Sequence, residues 1–156
     1  MATRNSRALD VAVTFRTRLG SIGTAFFVDA ALFALAAQKV RNASISITLL
    51  SDREMHALNR EWLQHDYPTD IITFPLESDP LEAEIVISLD TARRQSREYR
   101  VALRSELARL VLHGILHLTG FDDDTEEHRA VMKRREDLLL KQCPGVPGYS
   151  PDAELT

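Results

Sequence analysis

His113 and His117 stand four residues apart in the stretch Leu112-His113-Gly114-Ile115-Leu116-His117-Leu118-Thr119-Gly120-Phe121-Asp122-Asp123. Residues at that interval share one face of a helix, so two imidazoles there can chelate a single ion. Gly120 sits where a helix C-cap glycine belongs. The chain can leave the helix at that point, reverse, and return an acidic side chain, which makes Asp123 the expected third ligand. Two imidazoles and a carboxylate leave a position open for water, the arrangement of a catalytic zinc-like ion rather than a structural one. Such an ion lowers the pKa of its water to about 7 and polarises a phosphoryl or a carbonyl oxygen, and both chemistries are open at this stage. The bland alternative is a pair of ordinary histidines on an apolar helix. Two inward imidazoles without partners cost free energy there, and the glycine turn with its acidic cluster supplies a partner.

Other residues could assist. Glu106 precedes His113 by seven residues and lies on nearly the same helical face, as a partner that orients an imidazole or as a general base. His65, beside Asp66 in a turn, is placed to face substrate. Asp122 and Asp124 are less direct ligands, and Asp124 with Glu127 reads as the N-cap of a following helix. His56 and His128 read as solvated helical histidines. Cys143 is the only cysteine, so no intramolecular disulfide forms, and it reads as an inert thiol compatible with a reducing cytoplasm.

The elements that must position these groups follow from periodicity. Leu9 to Phe15 alternates apolar and polar residues as a half-buried strand does, and an Ala/Leu/Phe-rich helix runs on from Thr24 to about Arg41. Ser44 to Leu50 is a second strand, and Ser51 with Glu54 forms a capping box that opens a helix ending near Leu63. Pro68 and Asp70 turn the chain into a strand at Ile71 to Phe74, expected to pair with Glu84 to Ser88 across an acidic loop. Helices are expected over Asp90 to Tyr99, Ser105 to Leu118 and Thr125 to Lys141. This order implies an α+β fold in a single domain, a mixed sheet of about four strands packed with helices, with the metal site at the C-terminal end of a central helix. The domain is expected to span residues 1–142, with a frayed tail over 143–156.

At 156 residues, 44% hydrophobic and 27% charged, the chain can bury a core without disulfides. Its net charge of -4 excludes a protein that coats nucleic acid non-specifically, so any RNA contact is local. The apolar run Thr24 to Ala37 loosely resembles a secretion signal, but Asp29 interrupts it and it begins far from Met1. It is also short of the roughly 20 residues that span a membrane. A core helix in a cytoplasmic protein is the expectation.

The stretch His113-Gly114-x-Leu116-His117-Leu118-x-Gly120-Phe121-Asp122 resembles the signature H-G-x-L-H-L-x-G-[FY]-D-H of the YbeY family of bacterial ribosomal-RNA-maturation endoribonucleases. Leu58-Asn59 followed by Pro68-Thr69-Asp70-Ile71-Ile72-Thr73-Phe74-Pro75 resembles that family's L-N … P-T-[DN]-V-L-S-F-P segment, and Glu84-Ile85-Val86-Ile87-Ser88 its G-D-I-x-I-S strand. The resemblance implies a zinc-containing, single-strand-specific endoribonuclease of the cytoplasm, acting with the ribosome or its small subunit in 16S ribosomal RNA 3′-end maturation and late quality control. DNA is not an expected partner. Carried over by position, the ligands are His113, His117 and, where the family has its third histidine, Asp123, and aspartate ligates zinc at comparable distance.

Two departures accompany it. The arginine that the family carries shortly after L-N falls at Leu63, and the G-D pair becomes Ala83-Glu84. Arg60 is the nearby residue that could replace the missing RNA contact, and Arg93, Arg94 and Arg97 are candidates for a phosphate-contacting patch. A zinc peptidase is the rival enzyme, though the glutamate of H-E-x-x-H is Gly114 here. The non-enzymatic rival is a ribosome assembly factor with a closed, structural metal.

Overall fold

The computed structural model describes residues 8–62 and 69–147. The elements follow in the expected order: β1 (Leu9–Phe15), α1 (Thr24–Ala37), β2 (Ala43–Leu50), α2 (Asp52–Trp62), β3 (Ile71–Ser78), β4 (Leu81–Ser88), α3 (Leu89–Glu98), α4 (Leu103–Leu118) and α5 (Glu126–Leu140). The sheet order is β1-β2-β4-β3, with β1, β2 and β4 parallel and β3 antiparallel to β4. The fold is therefore a single α+β domain with a four-stranded mixed sheet, as the periodicity implied.

The β4 run Glu84 to Ser88 is apolar because both of its faces are covered. Ile85 and Ile87 enter the main core, while Val86 joins Leu50, Met55 and Ile72 in a small cluster on the other side. Ile71 lies opposite Ile87, so the expected pairing is present, but β3 does not stop at Phe74. It continues to Ser78 opposite Leu81, with an irregularity between Pro75 and Glu77. Proline is tolerated because β3 is an edge strand, where one side of the backbone needs no ladder partner.

α1 buries Phe26, Phe27, Ala30, Ala31, Ala34 and Leu35, which explains its resemblance to a signal sequence by a role in the core. Among the described residues no helix is long and apolar enough to cross a membrane. Ser51 and Glu54 form the expected capping box at the start of α2: the Glu54 N–H donates to Ser51 Oγ at 3.2 Å, and the Ser51 N–H donates to Glu54 Oε1 at 3.4 Å.

α4 is the central helix, packed against α1, α3, α5, β3 and β4. Leu107, Leu110, Leu112, Ile115 and Leu116 are fully buried along it, each stabilising the fold by roughly 1.5–3 kcal/mol. Gly114 lets this helix approach the sheet: a Cβ there would stand 3.1 Å from Ile71 Cδ1 and 3.2 Å from Ile85 Cδ1. The packed chain also runs past Gln142, where a tail was expected to begin. Cys143 and Val146 are buried in the main core, and burial pushes the Cys143 thiol up to about 12, consistent with an inert thiol.

Candidate metal site

The end of α4 is built by one turn of hydrogen bonds. The Phe121 N–H donates to the Leu116 carbonyl at 3.0 Å and the Gly120 N–H to the His117 carbonyl at 3.5 Å, the paired pattern of a Schellman cap. Gly120 takes φ +113°, a conformation that a side chain disfavours, so its identity allows the reversal. The reversal returns the Phe121 carbonyl to His117, whose Nδ1 lies 3.2 Å from it. A carbonyl can only accept, so His117 donates from Nδ1 and keeps the lone pair of Nε2 available.

His113, one turn earlier, is held in the same way by another helix. Its Nδ1 lies 2.8 Å from Oε1 of Glu136 on α5. Burial pushes the Glu136 pKa up, but the His113 hydrogen bond and the charges of Arg109 and Lys133 outweigh it and hold the group below the ordinary carboxylate range. An ionised carboxylate accepts, so His113 also donates from Nδ1 and presents Nε2. Imidazoles that ligate metals characteristically donate their other ring N–H to a carboxylate or carbonyl, and both histidines meet that condition.

Glu136 is only 2% exposed and is secured on its second oxygen. Its Oε2 faces Arg109 Nη1 at 3.6 Å and Lys133 Nζ at 3.5 Å. Arg109 in turn donates to both oxygens of Glu106, at 2.8 and 2.6 Å. The hydrogen bonds that Arg109 donates to Glu106, opposed by burial and reinforced by the charges of Glu106, Glu136 and Asp70, raise the Arg109 pKa, so it stays a cation.

The expected site residues distribute unevenly over this framework. His113 and Asp123 line one cavity of about 360 Å³ together with Arg109, Arg129, Lys133 and Glu136. His117 and Asp123 are exposed, and the Asp123 carbonyl accepts from Arg129 Nη1 at 3.1 Å. Among the described residues no three His, Cys, Asp or Glu side chains are gathered into a ready metal-ligand group. Glu106 is buried with both oxygens on Arg109, and it reaches His113 through Arg109 and Glu136. Arg60 is exposed on α2 and does not line the cavity of His113, and His65 lies outside the described residues.

Two of the expected arginine contacts are committed elsewhere: Arg93 donates to the Arg18 carbonyl and Arg94 to Asp52. The N-cap of α5 is Thr125, whose hydroxyl accepts from the His128 N–H at 3.0 Å, and not Asp124, which instead pairs with the exposed His128 ring. Sequence reasoning missed Glu136 and Arg109. The available signal was in α5, whose buried stripe Met132, Glu136, Leu139 places a carboxylate where an apolar residue belongs.

The family model described as endoribonuclease YbeY matches residues 24–144. The chain belongs to the YbeY family. It is 35% identical over 136 residues to the endoribonuclease YbeY of Chlorobaculum parvum, covering 86% of this chain and 96% of that protein. The YbeY proteins of Rhodopirellula baltica and an Anaeromyxobacter species are 42% and 46% identical, over 72% and 73% of this chain. The chain spans 60% and 61% of the length of those two relatives. A solution structure from Thermotoga maritima shares the fold, with a TM-score of 0.63 and 23% identity over 84% of this chain and 87% of that one. The YbeY match runs from α1 past α5 and so contains His113, His117, Asp123 and the Glu136 network.

Proposed function

We propose that this chain is a metal-dependent endoribonuclease that cleaves single-stranded ribosomal RNA in the cytoplasm, in 16S 3′-end maturation and late ribosome quality control. The observation that carries the reading is the pair of Nδ1 hydrogen bonds, His113 to Glu136 and His117 to the Phe121 carbonyl, which leaves two Nε2 donors one turn apart on α4. This donor chemistry fits zinc, and His113, His117 and Asp123 are the residues that would hold it. Bound there, the ion would neutralise charge on the scissile phosphate and acidify a water molecule.

The protein's own groups do the rest. Glu136 and the Phe121 carbonyl orient the imidazoles, and the exposed Asp123 carboxylate would complete the set. Exposure of His117 and Asp123 supports an open site rather than the closed one of a structural metal. Gly114 argues against peptide hydrolysis, because the position after His113 faces Ile71 and Ile85 and offers no room for a glutamate base. Membership of the YbeY family, whose named relatives are endoribonucleases, supports RNA as substrate.

The test is cleavage of an end-labelled single-stranded ribosomal RNA fragment and of the same sequence as a duplex, with and without a chelator. Internal cuts in the single strand alone, abolished by chelation and restored by zinc, are expected. An undiminished rate in chelator contradicts the metal-dependent reading, and equal cutting of the duplex contradicts its strand preference.

A further inference from the structure

α3 ends beside a second cavity, of about 580 Å³, that shares the Arg109 and Lys133 wall with the cavity of His113. That volume lies within the roughly 300–1,000 Å³ typical of ligand pockets. The carboxylates in it are matched from within: Glu106 by Arg109, and Asp70 by the Gln95 amide at 3.3 Å and Arg109 at 3.9 Å. At its rim Tyr99 is 53% and Val101 44% exposed, unusual for large apolar side chains of this protein. Arg97 and Arg100 flank the tyrosine, exposed and without an ion pair among the described residues, against the single carboxylate of Glu98.

The backbone at this rim is itself informative. The Val101 N–H donates to the Ser96 carbonyl at 2.9 Å and the Arg100 N–H to the Arg97 carbonyl at 3.3 Å, the same cap that closes α4. Arg100 occupies the left-handed position, at φ +57°, that Gly120 occupies in α4. Glycine is the unstrained residue there, so the arginine is held at a conformational cost.

We propose that this cleft is a subsite for the strand flanking the cut, in which Tyr99 stacks on a nucleobase and Arg97 and Arg100 contact its phosphates. A face of ring and cations is the pattern that binds single-stranded nucleic acid, since every base has a stacking face and every linkage a charge. The Arg109 and Lys133 side chains that line both cavities set the subsite beside the groups that would act on the phosphodiester. The inference rests on the RNA reading of the site and names where that RNA lies.

The test is fluorescence anisotropy of a labelled single-stranded RNA on the full chain in chelator, where the strand stays intact, together with thermal melting. Tyr99→Ala is expected to weaken binding about 5- to 100-fold and Tyr99→Phe to retain most of it. Arg100→Gly is expected to weaken binding severalfold, lower the salt dependence by about one phosphate contact, and raise the melting temperature. Higher stability with poorer binding separates a binding residue from a structural one. Unchanged affinity in Tyr99→Ala and Arg100→Gly overturns the subsite, as does a wild type that does not bind the single strand. If wild type binds through Tyr99 but does not cut when zinc is restored, the catalytic reading fails while the subsite stands.

Discussion

Nδ1 of His113 lies 2.8 Å from Oε1 of Glu136, a carboxylate that comes from the next helix and is almost wholly buried. The contact joins the two helices at the point where His113 lines its cavity. It makes a specific demand: removing the carboxylate frees the ring to turn. Glu136→Ala is expected to weaken zinc binding about 10- to 100-fold, and Glu136→Gln, which keeps an acceptor, by less. Competition with a chromophoric chelator measures this, and equal affinity in wild type and Glu136→Ala counts against the assignment.

Gly120 owes its identity to its backbone, because no atom stands within 4 Å of the place where a Cβ would lie. Gly120→Ala should therefore cost about 1–2 kcal/mol in conformational strain alone. Urea unfolding reads this out, and a variant as stable as wild type would show that the reversal tolerates a side chain.

Gly114 is the opposite case, limited by space. Gly114→Glu writes the peptidase motif H-E-x-x-H into the chain, but it drives a carboxylate against Ile71 and Ile85. A loss of about 3 kcal/mol or more is expected, from overpacking and burial of an unpaired charge. Denaturant titration would detect it, and a stable Gly114→Glu protein would contradict the packing described for α4.

Asp52 supplies a pH dependence remote from the histidines. Its carboxylate accepts from Ser88 Oγ at 2.5 Å and from Thr91 Oγ1 and Arg94 Nη1 at 2.6 Å. Burial raises its pKa, but these hydrogen bonds and the Arg94 charge outweigh it, so the folded-state value lies below the 3.8 of the free group. A depressed value means stabilisation that is fully present above 3.8 and is lost as pH falls through the folded-state value. Asp52→Asn should be less stable than wild type by about 1–2 kcal/mol at neutral pH, with the gap closing in acid. Parallel urea curves at pH 7 and below the free-group value test this, and a gap that does not narrow contradicts it.

How far these features could be read in the chain depends on how local their causes are. The Ser51 and Glu54 capping box and the Gly120 cap depend on neighbours within five residues, and both stand as expected. β3 ran beyond Phe74 because pairing with β4 carried it past Pro75, a tertiary effect that local turn signals oppose. Glu136 lies 23 residues from His113, and Arg109 joins it to Glu106 across two helices. Only the packing of α4 on α5 creates that network, so no local pattern in α5 points to it. Asp123, singled out from spacing alone, lines the cavity of His113.

The central claim is most directly tested by elemental analysis of purified wild type and His117→Ala, with both assayed on a single-stranded ribosomal RNA fragment. The account predicts about one zinc or similar divalent ion per chain and internal cleavage in wild type, and neither in the variant. A wild type that takes up no metal, even after reconstitution, would contradict it.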